Sequence, residues 1–120
     1  MNASTINVTK TIIDIGKDFS RYPAGRYQTD GPFNGELFRT KFLVPTLVNQ
    51  QQITIDLDNT AGYGSSFLEE AFGGLVRIGY SSARIKAAIT LHSEDLSLLD
   101  EIEEYILRAV KNSVPSYPKI

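Results

Sequence analysis

Apolar and polar residues alternate most cleanly at Ile53, Thr54, Ile55, Asp56 and Leu57, and the β-branched enrichment there predicts a strand. Upstream, Ile6 and Val8 alternate with Thr5, Asn7 and Thr9, and Ile12, Ile13 and Ile15 follow before Gly16, which predicts one or two further strands. Lys17 to Phe33 carries Pro23, Gly25, Gly31 and Pro32 and reads as a long loop. Asn34 is placed to cap a helix through Glu36, Leu37, Phe38, Phe42 and Leu43 that ends near Asn49, with Pro45 either kinking it or opening its last turns.

After the turn-rich segment Asn59 to Gly64, Ser66 and Glu69 have the spacing of a capping box, and Phe67, Leu68, Ala71, Phe72, Leu75 and Val76 recur at helical intervals. Gly73 and Gly74 each cost that helix about 1 kcal/mol against alanine, which implies close packing on their face. Ile85 to Leu91 has the composition of a third strand. Ser93 is placed to cap a last helix with the apolar stripe Leu96, Leu99, Ile102, Ile106, Ala109 and Val110. Asp100, Glu101, Glu103, Glu104 and Arg108 cover its other face, an ordinary solvated surface.

Alternating strands and helices imply an α/β fold whose sheet has parallel neighbours covered by helices. The 120 residues suffice for one core, so a single domain is expected over residues 1–112, with 113–120 as a loosely held tail. The 42% apolar and 22% charged content is that of a globular chain. No apolar run reaches the roughly 20 residues of a membrane span. The segment Met1 to Lys10 lacks the basic start and apolar stretch of an export signal, and the chain has no cysteine, so a cytoplasmic location is expected. A net charge of −2 gives no reason to expect nucleic acid.

The segment from Ile53 to Arg77 carries the most chemistry. It places Ser65 and Ser66 at a helix start, directly after a strand and a loop containing Gly62, Tyr63 and Gly64. Ser66 and the glycines have a structural reading as cap and turn. The functional reading is a phosphorylation or partner-contact site, because a phosphate there meets unpaired N–H groups and a favourable dipole. Arg21 and Arg26 stand among Tyr22 and Tyr27 in the long loop. They either pair with acids such as Asp30 or Glu36 or converge on Ser65 as an anion pocket. Glu69 is expected to be the capping partner of Ser66, while Glu70 is open to a partner's base or to Arg77. The adjacent pair points about 100° apart, which makes poor acid/base machinery. Asp56 and Asp58 share one side of their strand but lack further ligands for a metal, and His92 reads as surface chemistry. Gly62 to Gly64 precede a helix without the lysine of a phosphate-binding loop, and no zinc spacing or nucleophile elbow appears. Catalysis, a metal and a cofactor are therefore not expected.

The strand, loop, serines and helix resemble the signature of STAS domains, the fold of bacterial anti-sigma-factor antagonists. In that pattern a strand leads to an acidic residue, a phosphorylatable serine, a second serine and a glycine. Gly64 stands in the place of the acid, Ser65 of the phosphorylated serine, and Ser66 and Phe67 of the serine and glycine. The chain is more closely similar to a STAS-like family of bacterial domains of unknown function, with Ser66, Phe67, Glu69, Glu70 and Phe72 matching its pattern. Ser20, Arg21, Gly25, Arg26, Gly31 and Phe38 fit its loop and first helix. The resemblance implies a small mixed sheet of about four strands with helices mainly on one face. It also implies a regulatory, protein-binding role beside a histidine-kinase-like ATPase or kinase. The alternatives are a nucleotide or small phosphorylated ligand held by Arg21, Arg26 and the helix start, and a homodimer formed through a sheet edge.

Overall fold

Strands β1 (Thr11–Asp14), β2 (Ile53–Asp56) and β3 (Ile89–His92) form one parallel sheet in the order β1-β2-β3 in the structure, a computed structural model that describes residues 11–113. Thr11 pairs with Ile53 and Ile53 with Ile89, so the strands start and end level. The expectation of about four strands in a mixed sheet is corrected: the described residues contain three, all parallel. Each strand is followed by helical connections that carry the chain back before the next strand begins, and such a return makes neighbours parallel. The alternating segment at Thr5 to Thr9 lies outside the described residues.

Ile53, Ile55 and Ile89 are buried in the same core as the helices, whereas Thr54, Asp56, Thr90 and His92 face the opposite, more open side. Helices therefore cover one face, as expected. On the other, Ile12 keeps 61% of its surface exposed.

The first helical connection comprises α1 (Gly35–Phe38), a π turn at Arg39–Leu43 and α2 (Val44–Val48). Asn34 caps it as expected, accepting the Leu37 N–H at 2.8 Å. Gly35 and Glu36 donate to the carbonyls of Gly25 and Arg26, so the preceding loop satisfies the helix's first N–H groups. Pro45 has no N–H and crowds the carbonyl four residues back. The wider turn just before it, closed by Val44 N–H to the Arg39 carbonyl, absorbs that demand, and the Thr46 hydroxyl takes the Phe42 carbonyl at 3.0 Å.

The second connection has α3 (Ser65–Leu68), a π turn at Glu69–Gly73, α4 (Gly74–Arg77) and α5 (Ser82–Ala88). The last of these corrects the third strand, which begins at Ile89 and not at Ile85. Ser81 accepts the Arg84 N–H at 3.1 Å, and the Ala and Lys residues that follow favour a helix. Helix α6 (Leu96–Ser113) is capped by Asp95, which accepts the Ser97 N–H, while Ser93 accepts from Asp95 one step earlier. The helix reaches Ser113, and residues 114–120 are not described.

Phe38, Phe67, Phe72, Ile55, Leu75 and Ile102 have no exposed surface. Each such side chain contributes about 1.5–3 kcal/mol by leaving water. Phe19 stands edge-on to Phe38 and Phe42 at centroid separations of 5.2 and 6.0 Å, which ties the loop before α1 into this core. No helix among the described residues is long and apolar enough to cross a membrane.

Candidate functional site

The loop from Leu57 to Gly64 leaves the C-terminal end of β2 and turns into α3. Gly62 has φ 147°, a conformation in which a side chain is strained. Tyr63 fastens the loop: its hydroxyl donates to the Leu57 carbonyl at 2.8 Å and its ring stacks on Phe67 at 6.0 Å. Burial pushes this phenol up to about 12, and the charges of Asp14, Asp56 and Asp58 add to the rise.

Around this anchor the surface is open. Gly62, Gly64, Ser65 and Ser66 are exposed, and a Cβ at either glycine would meet nothing within 4 Å. The hydroxyls are thus presented to solvent on the first turn of α3. The capping box is corrected, however. Gly64 is the N-cap and, having no side chain, makes no capping bond, while Ser65 and Ser66 are the first two helical residues. Ser65 also adjoins the Tyr105 phenol of α6. The hydrogen bond that Tyr105 donates to Glu101, at 2.6 Å, raises its pKa together with burial, against opposing effects of Ser65 and Arg108.

Glu69, freed from capping, joins a network of charges just behind the serines. Glu70 correspondingly loses its standing as a partner-contact candidate, because only 6% of its side chain is exposed. Arg39, itself 10% exposed, donates to a Glu70 carboxylate oxygen at 2.6 Å and to the Glu70 carbonyl at 2.7 Å. Arg26 bridges Glu69 at 2.5 Å and Glu70 at 2.9 Å, and Arg77 reaches the same two acids at 2.7 and 3.1 Å. Two adjacent acids therefore do act together, because long arginine side chains span the angle between them.

The bond from Arg77 holds the Glu69 carboxyl below its usual range, helped by Arg26 against burial, and the Glu69 bonds raise both guanidinium groups in return. The glycine pair makes room for these groups. A Cβ on Gly74 would overlap the Arg39 guanidinium, and one on Gly73 would press on the Glu69 carboxylate and approach the Tyr105 carbonyl.

Arg21 and Arg26 do not converge. Arg26 is committed to Glu69 and Glu70, and Arg21 makes a long 3.5 Å contact with the Asn59 carbonyl. The loop is held to the body as the structural reading expected, but by other acids. Asp30 instead accepts the backbone N–H groups of Arg26 and Tyr27. Sequence reasoning missed Arg39, whose only local signal is a charge standing between Phe38 and Phe42 on a helix that must be buried. At the edge of the sheet, Asp14, Asp56 and His92 stand side by side in register.

Residues 34–97, more than half of the chain, match the model of a family described as a STAS-like domain of unknown function. The match runs from the α1 cap to the first turn of α6 and so includes the serines, Arg39, Glu69, Glu70 and Arg77, but not Arg26. No curated protein and no solved structure matches the chain.

Proposed function

The chain belongs to the STAS-like family of unknown function, and we propose on that footing that it is a regulatory module that docks a protein partner through the Gly62–Ser66 turn. Binding, not catalysis, is the role we assign to it. The observation that supports this is the exposure of Ser65 and Ser66 on the first helical turn of α3, held in place by the half-buried Tyr63 and the buried Phe67 side chains.

The rigid support matters, because a docking surface that is already ordered loses less entropy on binding. Phosphorylation of Ser65 would add about −1.5 to −2 charge beside N–H groups that the helix leaves unpaired. It would also bring that charge against the Glu101 carboxylate held by Tyr105, so the modified turn must shift or shed that contact. The similarity to anti-sigma-factor antagonists makes a histidine-kinase-like ATPase or kinase the partner of choice. The rival anion pocket loses its support, because Arg26 is engaged by two carboxylates.

The test is incubation with ATP and a histidine-kinase-like ATPase or kinase from the same organism, followed by mapping of phosphate by mass spectrometry and measurement of complex formation. Phosphate on Ser65 or Ser66, lost in the matching alanine variant, supports the switch. Complex formation without phosphate reduces the proposal to docking, and the absence of both rejects it.

A further inference from the structure

We propose that Asp56, Asp58 and His92 form a binding site for a divalent transition-metal ion at the C-terminal edge of the sheet. This site is separate from the serine turn and does not rest on the docking role. One donor atom from each of the three residues lies within 4.8 Å of the others. Donors that share one ion at about 2.0–2.2 Å stand within about 4.4 Å of each other, so small side-chain rotations suffice to bring all three onto it.

The arrangement follows from the sheet. Asp58 lies in the turn just past the end of β2, where its N–H donates to the Asp56 carboxylate, and the parallel register sets His92 directly opposite Asp56. The Leu57 N–H to the His92 carbonyl at 2.9 Å continues that register beyond the strand ends. The acids are also oriented. Asp58 is held by the Ser93 hydroxyl at 3.0 Å and the Glu94 N–H at 3.1 Å, and Asp56 uses one oxygen for the Asp58 N–H at 3.0 Å. Outer hydrogen bonds of this kind are what aim carboxylates at a metal.

His92 Nε2 stands 3.6 Å from the Asp58 carboxylate, too far for a hydrogen bond and close to the spacing of two ligands on one ion. Among the described residues neither Asp56 nor Asp58 has a lysine or arginine in an ion pair. Asp14, next in register, adds a further carboxylate that is engaged by Asn59 and the Lys17 N–H. An imidazole with two carboxylates suits manganese or zinc better than calcium or magnesium, which prefer oxygen alone. The site faces solvent, so water completes the coordination.

Titrating the protein with Mn²⁺ while recording amide resonances tests the proposal. Broadening that starts at residues 56–58 and 92–94 and saturates at one ion per chain is the expected result. Zn²⁺ should compete for the same site. Asp56→Asn, which keeps the hydrogen bond to Asp58, and His92→Gln should each weaken the ion by about 10-fold or more. Broadening that instead centres on Asp100 and Glu104 of α6, or binding equal in wild type and both variants, would overturn the assignment. The first measurement needs no variant and stands whether or not the substitutions fold.

Discussion

Leaving Arg39 without its carboxylate should unfold this domain far more readily than removing any surface acid. The perturbation is Glu70→Leu. In the native protein the Arg39 guanidinium and the Glu70 carboxylate are 10% and 6% exposed and meet at 2.6 Å. The substitution strands a buried cation whose remaining partner is the backbone carbonyl of residue 70. Breaking a buried pair from one side costs about 3–5 kcal/mol, a large share of the roughly 5–15 kcal/mol that holds a domain folded. With a urea slope of about 2 kcal/mol/M, the unfolding midpoint should fall by about 2 M. The control is Glu104→Ala, which removes an exposed helix pair with Arg108 and should cost no more than about 0.5 kcal/mol. Replacing both buried partners, as Arg39→Met with Glu70→Leu, should recover most of the loss, because Arg26 and Arg77 keep Glu69. If Glu70→Leu cost no more than Glu104→Ala, or if the double variant were no better than the single, the account of the network would be wrong.

Two other outcomes follow from the same region. Gly74→Ala should destabilise the protein despite a gain of about 1 kcal/mol in helix propensity, because the new methyl group occupies the place of the Arg39 guanidinium; thermal unfolding would show a raised midpoint if that space were free. Glu69 has its pKa lowered below 4.5 in the folded state, so its ionic contribution is complete above that pH and disappears as acid titrates the folded carboxylate. The stability gap between wild type and Glu69→Gln, followed by urea unfolding across acid pH, should therefore narrow below about pH 4.5, and a constant gap would contradict the assignment.

Local signals were readable where local chemistry decides the structure. Asn34 caps its helix because a side-chain oxygen three residues ahead of a free N–H suffices, and the alternation of β2 survives because only one face of the sheet is covered. Ser66 and Glu69 had the right spacing for a capping box, yet the helix begins one residue before Ser66 and Glu69 is claimed by arginines from elsewhere. That competition is tertiary and leaves no mark on the spacing. The same holds for Arg39 and Glu70, which are 31 residues apart, and for the π turns, where an extra residue depends on what the helix must accommodate. At residues 85–88 apolar content was misleading, because Ile85 serves the core from a short helix. With the strand start misplaced there, the pairing of His92 with Asp56 had no means of showing itself.

The order of the sheet has a consequence for how the chain assembles. Among the described residues each strand after β1 joins the one made immediately before it, so none of these has to slip between two neighbours already paired. A chain emerging from the ribosome can lay down β1, β2 and β3 in the order of synthesis, each arriving with the helices that cover it. What it cannot do early is close the core. Phe72 and Leu75 wait for Ile102 and Ile106 of the final helix, and a nascent chain halted before that helix exposes an oily face to whatever chaperone stands nearest.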